Sequence, residues 1–196
     1  TRIPACLLDR VCGRVLVLEP RRLAARLSAE RAAWFLDEAC GKTVGYRIRH
    51  DACVSEHTRL TFITEGLFVR LLHQDQILSG VGAVVLDEFH ERSIHTDMAL
   101  ALVRRLQARS RPDLKLLIMS ATLDTRALER CLETPAVIDI GGSVFPVAID
   151  YISPHKDDRL RHKDWQSRLA DASARMLGDS RCQGNILVFL TGLGQI

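Results

Sequence analysis

The sequence predicts an α/β fold built on a doubly wound, mainly parallel β-sheet. Three runs of strand length, 14–22, 83–90 and 114–122, each join four or five apolar residues to a polar cluster, and a fourth, 59–66, is more mixed but ends the same way. Apolar stretches without polar alternation are typical of parallel strands that helices cover on both faces. The segments between the runs have helical patterns, so strands alternate with helices as in βαβ units.

Two of the intervening segments carry the helical pattern. In 20–39, apolar side chains such as Leu23 and Leu27 lie near one face. In 95–109, apolar residues recur every four positions, at Met98, Leu102 and Leu106. We therefore predict helices in both segments.

The chain divides by composition near residue 152. We predict a first domain over 1–152, and a linker with the beginning of a second domain over 153–196. The stretch 154–164 is strongly polar, and a helical pattern to about Leu177 and an apolar run at 185–190 follow it. We read that last run as a buried strand. The chain begins at Thr1 without an initiator methionine, so we expect a fragment of a longer protein.

The bulk composition excludes several classes of protein. The 196 residues are 47% apolar and 26% charged, which is ordinary for a soluble globular chain. A net charge of +3 is too small to indicate nucleic acid by itself. The six cysteines show no paired spacing of a zinc site or disulfide framework, which favours a reducing, intracellular compartment. No apolar run reaches the roughly 18–20 residues of a membrane span.

Polar clusters follow all four predicted strands. Because connections between parallel strands are right-handed crossovers, the carboxyl ends of the strands lie along one edge of the sheet. Ligands bind at this edge in open α/β sheets. We therefore expect four clusters to meet there, Glu-Pro-Arg-Arg (19–22), Thr-Glu-Gly (64–66), Asp-Glu-Phe-His (87–90) and Ser-Ala-Thr (120–122).

The third cluster has the densest chemistry, and its spacing excludes a zinc protease. Such an enzyme needs two histidines four residues apart on one helix face. His90 and His95 are five apart, about 140° around a helix of 3.6 residues per turn. They cannot hold one zinc ion from a single helix.

Asp87 and Glu88 instead fit phosphoryl transfer. A carboxylate at the end of a buried strand can hold magnesium, and a neighbouring carboxylate can orient and deprotonate water. An ordinary polar strand end remains an equal alternative on this pattern alone. The expected phosphate-binding loop, Gly-x4-Gly-Lys-Ser/Thr, is absent, because Gly41-Lys42-Thr43 has Leu36 in its first position.

Pro20, Arg21 and Arg22 stand where a strand passes into a helix. The free amides of a helix start and two guanidinium groups form a reasonable phosphate site. A solvated helix start is the alternative that the residues leave open.

Seven motifs together are far more specific than any one of them. LEPRRLAA, VGYRIR, TEG, LDEFHERS, IMSATLD, FPV and ILVFLTGLGQI occur in the order and spacing of the DEAH-box RNA helicases of superfamily 2. The resemblance covers essentially the whole chain. The Asp-Glu-Phe-His variant resembles the bacterial HrpB-type helicases in particular.

The resemblance implies a RecA-like P-loop NTPase fold with the start of a second RecA-like domain, and ATP and Mg²⁺ as cofactors. Asp87 and Glu88 would hold the metal, and Glu88 would activate the hydrolytic water. His90, the third catalytic residue, would link the nucleotide site to the Ser-Ala-Thr element. The remaining nucleotide contacts that the resemblance implies are Thr1, Arg31, Ser120 and Thr122.

The resemblance also implies a single-stranded RNA partner that is bound through its backbone. The implied contacts are Pro20, Arg21, Arg22, Thr64, Glu65 and Gly66. We expect a cytoplasmic, bacterial protein, and residues 1–196 alone should hydrolyse ATP at no more than a background rate. A non-catalytic nucleic-acid-binding remnant and a DNA translocase of the same superfamily are the alternatives.

Overall fold

A computed structural model describes residues 2–122, 128, 132, 136–141, 147, 149, 151, 165–179 and 184–189. The chain divides into two compact units, Thr1–Ile138 and Asp139–Ile196. Each unit is described by itself. The predicted domain boundary near residue 152 stays a prediction.

The first unit contains a mainly parallel sheet, as predicted. Its described strands are β1 (Arg14–Glu19), β2 (Val44–Ile48), β3 (Asp51–Cys53), β4 (Leu60–Thr64), β5 (Val81–Leu86) and β6 (Lys115–Ile118). Their order is β3-β2-β4-β1-β5-β6. All neighbouring pairs are parallel except β2 with β3. The four apolar runs therefore form the four adjacent strands β4, β1, β5 and β6.

Helices cover both faces of this sheet. The described helices of the first unit are α1 (Arg2–Cys6), α2 (Arg22–Phe35), α3 (Glu65–Gln74) and α4 (Ile94–Arg109). Alternate residues of β1 enter two separate cores. Leu16 and Leu18 belong to the core that contains α3 and α4 side chains, whereas Val15 and Val17 belong to the core that contains α2. This arrangement confirms the doubly wound prediction, because strand side chains alternate between faces.

The sequence did not predict the β2–β3 hairpin. Gly45 and Arg47 interrupt the apolar pattern of β2, so this strand lacks the continuous run of its neighbours. The glycine is required by the close approach of β3, since a Cβ atom at position 45 would lie 2.2 Å from the carbonyl oxygen of Cys53. The run RVLVLE (14–19), by contrast, forms β1 as predicted, and the strand ends before Pro20.

The second unit contains α5 (Trp165–Gly178), where a helical pattern was predicted. The prediction of a buried strand over 185–190 is wrong for its described residues. Residues 185–189 have no strand pairing, and Leu187 and Phe189 are 76% and 87% exposed. A strand needs a neighbour for its backbone hydrogen bonds, and the described part of this unit provides none. Among all the residues that the structure describes, in both units, no helix is long and apolar enough to span a membrane.

Candidate functional site

The predicted clusters lie along one edge of the sheet, which we call the carboxyl edge: the residues that follow β4, β1, β5 and β6. Glu19 at the end of β1 is paired in register with Thr64 at the end of β4. The amide of Asp87 donates to the carbonyl oxygen of Leu18 at 3.0 Å. The amide of Met119 donates to the carbonyl oxygen of Leu86 at 2.8 Å. Strand pairing thus brings all four clusters to one edge.

Asp87 and Glu88 occupy the point where β5 leaves the sheet. Asp87 is half-buried, and its Oδ1 accepts a hydrogen bond from the amide of Glu88 at 2.8 Å. Glu88 has φ 50° and ψ 38°, the left-handed conformation. A non-glycine residue in this conformation costs on the order of 1–3 kcal/mol, and such strain concentrates at functional sites. The strained turn carries the Glu88 carboxylate out into solvent.

A third carboxylate, Glu19, is buried beside this pair. Its side chain is 2% exposed, and burial, followed by the negative charge of Asp87, raises its pKa to about 7. A hydrogen bond from Ser28 opposes this rise. Glu19 belongs to the Glu-Pro-Arg-Arg cluster, but its sequence position predicted no role for it. Only its apolar surroundings distinguish it, and these come from the fold.

His90 connects Glu88 with the segment after β6. Its Nε2 lies 3.3 Å from Oε2 of Glu88. Its Nδ1 accepts a long hydrogen bond of 3.4 Å from the amide of Ala121 and lies 3.5 Å from Oγ of Ser120. Because a backbone amide can only donate, Nδ1 is the acceptor, which leaves the proton on Nε2 facing Glu88. The structure thus joins His90 to the Ser-Ala-Thr element, whose Ser120 hydroxyl donates to the carbonyl oxygen of Thr122.

Two helices begin side by side at the carboxyl edge without side-chain caps. Neither Arg21, the residue before α2, nor Thr64, the residue before α3, forms a capping hydrogen bond. The first amides of a helix have no partner inside the helix, so both starts can bind anions. Arg21 and Arg22 are exposed beside the first of them. In this structure Arg21 pairs with Glu91 at 3.2 Å.

Glu65 is positioned differently from the residues that flank it. Its side chain is 5% exposed and accepts short hydrogen bonds from the hydroxyls of Ser93 and Thr96. Thr64 is half-buried, and Gly66 is exposed with open space where a Cβ atom would stand. All three were predicted as nucleic-acid contacts, and neither Ser93 nor Thr96 was predicted as a site residue. The available signal was Ser93 itself, a favourable capping residue directly before α4.

One predicted nucleotide contact, Arg31, stands apart from this network. The Arg31 guanidinium lies 4.3 Å from the ring centre of Trp34 and 4.7 Å from that of Phe35, on its own helix. Its predicted contact with adenine stays a prediction. Thr1 lies outside the described residues.

The acidic group at the end of β5 fits a magnesium ion. The described residues contain no cluster of three or more ligating side chains, and none of their ion pairs joins a lysine or arginine to Asp87 or Glu88. Magnesium bound with a nucleotide usually takes one or two carboxylates and keeps waters and phosphate oxygens. Asp87, with one oxygen not used by the Glu88 amide, is the best placed ligand.

Comparison with known proteins decides the family. The model of the DEAD/DEAH box helicase family matches residues 3–131, more than half of the chain. The chain belongs to the DEAD/DEAH box helicase family. It is 49% identical to the ATP-dependent RNA helicase HrpB of Escherichia coli over 185 residues, which cover 94% of this chain and 22% of that protein. It is 35% identical to HrpA of the same organism, over 91% of this chain and 14% of that one.

Solved helicase structures agree with this membership. The crystal structure of the E. coli DEAH/RHA helicase HrpB matches 100% of this chain and 24% of its own, with a TM-score of 0.87 and 47% identity. A structure of the E. coli DExH-box NTPase HrpB matches with a TM-score of 0.76. These matches confirm the RecA-like fold and the HrpB-type resemblance. The chain spans less than a quarter of the length of these relatives.

Proposed function

We propose that the protein carrying this chain is an ATP-dependent RNA helicase that couples hydrolysis of Mg²⁺-ATP to movement along, or unwinding of, RNA. The observation that carries this proposal is the unbroken set of contacts along the carboxyl edge. It joins the acidic pair, His90, the Ser-Ala-Thr element and two uncapped helix starts. Curated relatives that are named ATP-dependent RNA helicases support it.

The hydrolytic part of the proposal rests on Asp87 and Glu88. Asp87 would hold the magnesium ion, which when bound neutralises charge on the phosphate oxygens. Glu88 extends into solvent from a strained turn, so it can accept the proton of an attacking water. The Nε2 proton of His90 faces the Glu88 carboxylate and orients it. Through Nδ1 the same ring contacts the backbone after β6, so a shift in either element alters the other.

The RNA part rests on the starts of α2 and α3. Their free amides, with Arg21 and Arg22, present donors and positive charge to successive phosphates. None of these groups reads a base, so binding would be independent of sequence. With a bacterial relative at 49% identity, we further propose a bacterial, cytoplasmic protein.

The test compares single-stranded RNA and DNA as stimulators of Mg²⁺-dependent ATPase activity in the full-length gene product that carries this sequence. Stimulation by RNA that exceeds stimulation by DNA supports the helicase proposal. Equal or greater stimulation by DNA favours a DNA translocase. Nucleic-acid binding without ATPase activity favours a non-catalytic binding protein and contradicts the proposal.

A further inference from the structure

Glu65 is buried, unlike the exposed RNA contact expected for its motif. Its carboxylate points into the protein, where it accepts hydrogen bonds from the hydroxyls of Ser93 and Thr96. The three side chains come from the first turn of α3 and from the start of α4. Glu65 is therefore shielded from a ligand that binds at the exposed surface of the same turn.

The hydrogen bonds fix which groups can replace this carboxylate. Each hydroxyl has one proton, and both protons are directed at Glu65. The oxygen of Ser93 also accepts the amide of Thr96 at 3.0 Å, which caps α4. A glutamine at position 65 would keep one acceptor oxygen and turn an NH₂ group toward the other hydroxyl, which would have to reorient to accept from it. A carboxylate accepts from both hydroxyls at once, and an apolar contact would be enough to pack α3 against α4.

Ser93 connects Glu65 to the loop that carries the acidic pair. Residues 87–93, which we call the 87–93 loop, run from the acidic pair to the cap of α4. Its backbone contains two left-handed residues, Glu88 and Arg92. Near its start, the loop is held by the amide of Phe89, which donates to the carbonyl oxygen of Met119 at 3.1 Å. At its far end, the loop is held by the hydroxyl of Ser93, which donates to the carboxylate of Glu65. A displacement at the start of α3 is therefore transmitted to the loop that carries Glu88.

We propose that Glu65 is a positioning residue that couples RNA bound at the start of α3 to the conformation of the 87–93 loop. This inference rests on the proposed function, since it presupposes RNA at the carboxyl edge. Thr64 and Gly66 meet the RNA backbone, and Glu65 between them transmits the contact inward. The link is separate from the one that His90 makes to the Ser-Ala-Thr element.

The test uses Glu65→Gln, which keeps the shape of the side chain, in the full-length gene product. The matched control is Asp75→Asn at the other end of α3, where Asp75 accepts hydrogen bonds from the amides of Ile77 and Ser79. We expect Glu65→Gln to keep the Kd for single-stranded RNA within about threefold and to lower the maximal RNA-stimulated kcat about tenfold or more. Asp75→Asn should change neither quantity by more than about twofold.

Two further measurements separate coupling from simple stabilisation. Thr96→Val removes one donor and retains the Ser93 cap. It should lower the stimulated kcat in the same way, and the double variant should lose less than the product of the two single losses. Hydrogen exchange should show that RNA protects residues 88–96 in the unsubstituted protein but not in Glu65→Gln, with protection at 64–66 retained in both.

Three outcomes would overturn the inference. A tenfold weaker Kd with unchanged stimulated kcat would make Glu65 an RNA contact. A lower Tm in Glu65→Gln with normal RNA stimulation and normal protection of 88–96 would make it purely structural. Failure of the unsubstituted protein to bind RNA would remove both this inference and the proposed function, and it is recognised before any variant is made.

Discussion

His90 and Glu88 face one another across 3.3 Å, from Nε2 to Oε2, while the other nitrogen of the ring accepts the amide of Ala121. One imidazole thus contacts both the candidate base and the segment after β6.

Glu88→Gln should abolish turnover and spare nucleotide binding. The amide cannot accept a proton from water, and loss of a general base lowers the rate by about 10²–10⁴-fold. ATPase assays and a nucleotide titration would measure the two effects. Glu56→Gln is a suitable control, because Glu56 is an exposed acid paired with a histidine, at 3.6 Å, away from the carboxyl edge. Unchanged turnover in Glu88→Gln would refute the assignment of the base.

Glu19 should make folding stability depend on pH. Because its pKa rises from 4.5 to about 7 on folding, the folded state binds the proton more tightly than the unfolded state. The free energy of unfolding therefore falls as pH rises from about 4.5 to about 7. Above that range, the stability that protonated Glu19 contributes is fully lost. Glu19→Gln should be more stable by about 1–3 kcal/mol at pH 8 and nearly unchanged at pH 4.5.

Denaturant titrations without magnesium at the two pH values would check this, since a bound cation would itself lower the pKa of Glu19. Glu30→Gln, which removes an exposed carboxylate paired with Arg26 on α2, is the control for the loss of one acidic side chain. Equal effects of Glu19→Gln at both pH values would contradict the predicted rise in pKa.

Gly66→Ala should weaken RNA binding without lowering the stability of the protein. No atom of the described structure lies within 4 Å of a Cβ at this position, and alanine favours a helix over glycine by about 0.5–1 kcal/mol. The variant should therefore be as stable as the unsubstituted protein or more so, while the methyl group blocks the approach of an RNA backbone and raises its Kd. Thermal melts and RNA titrations measure both. Gly178→Ala, also in open space but in α5, should leave the Kd unchanged.

Arg21→Ala should weaken RNA binding in a salt-dependent manner. Arg21 is 73% exposed, and its pair with Glu91 is weak, as surface ion pairs are. A phosphate can therefore displace Glu91 at little cost. Loss of one phosphate contact should reduce the slope of log K against log salt by about 0.7 for single strands. Arg26→Ala, one turn further along α2, is the control. An unchanged slope in Arg21→Ala would exclude a phosphate contact at Arg21.

Much of the fold could be predicted from the sequence because its signals are local. The strands β1, β5 and β6 contain continuous apolar runs, β4 is more mixed, and each of the four leads into a polar cluster. Parallel strands bring their carboxyl ends to one edge, so the meeting of the clusters followed from chain order alone. Strand β2 was missed because a glycine and an arginine interrupt its pattern.

The sequence by itself determined the family, the edge of the sheet that carries the chemistry and the acidic pair after β5, because these depend on short motifs and their spacing. The tertiary structure alone decided the direction of each side chain within a motif. Glu65 turns inward because the hydroxyls of Ser93 and Thr96, 28 and 31 residues away, donate hydrogen bonds to its carboxylate. Glu19 holds its proton near neutral pH because the neighbouring strands remove it from water and place Asp87 beside it. Such properties depend on long-range packing, which fixes the solvent and the partners of every polar group.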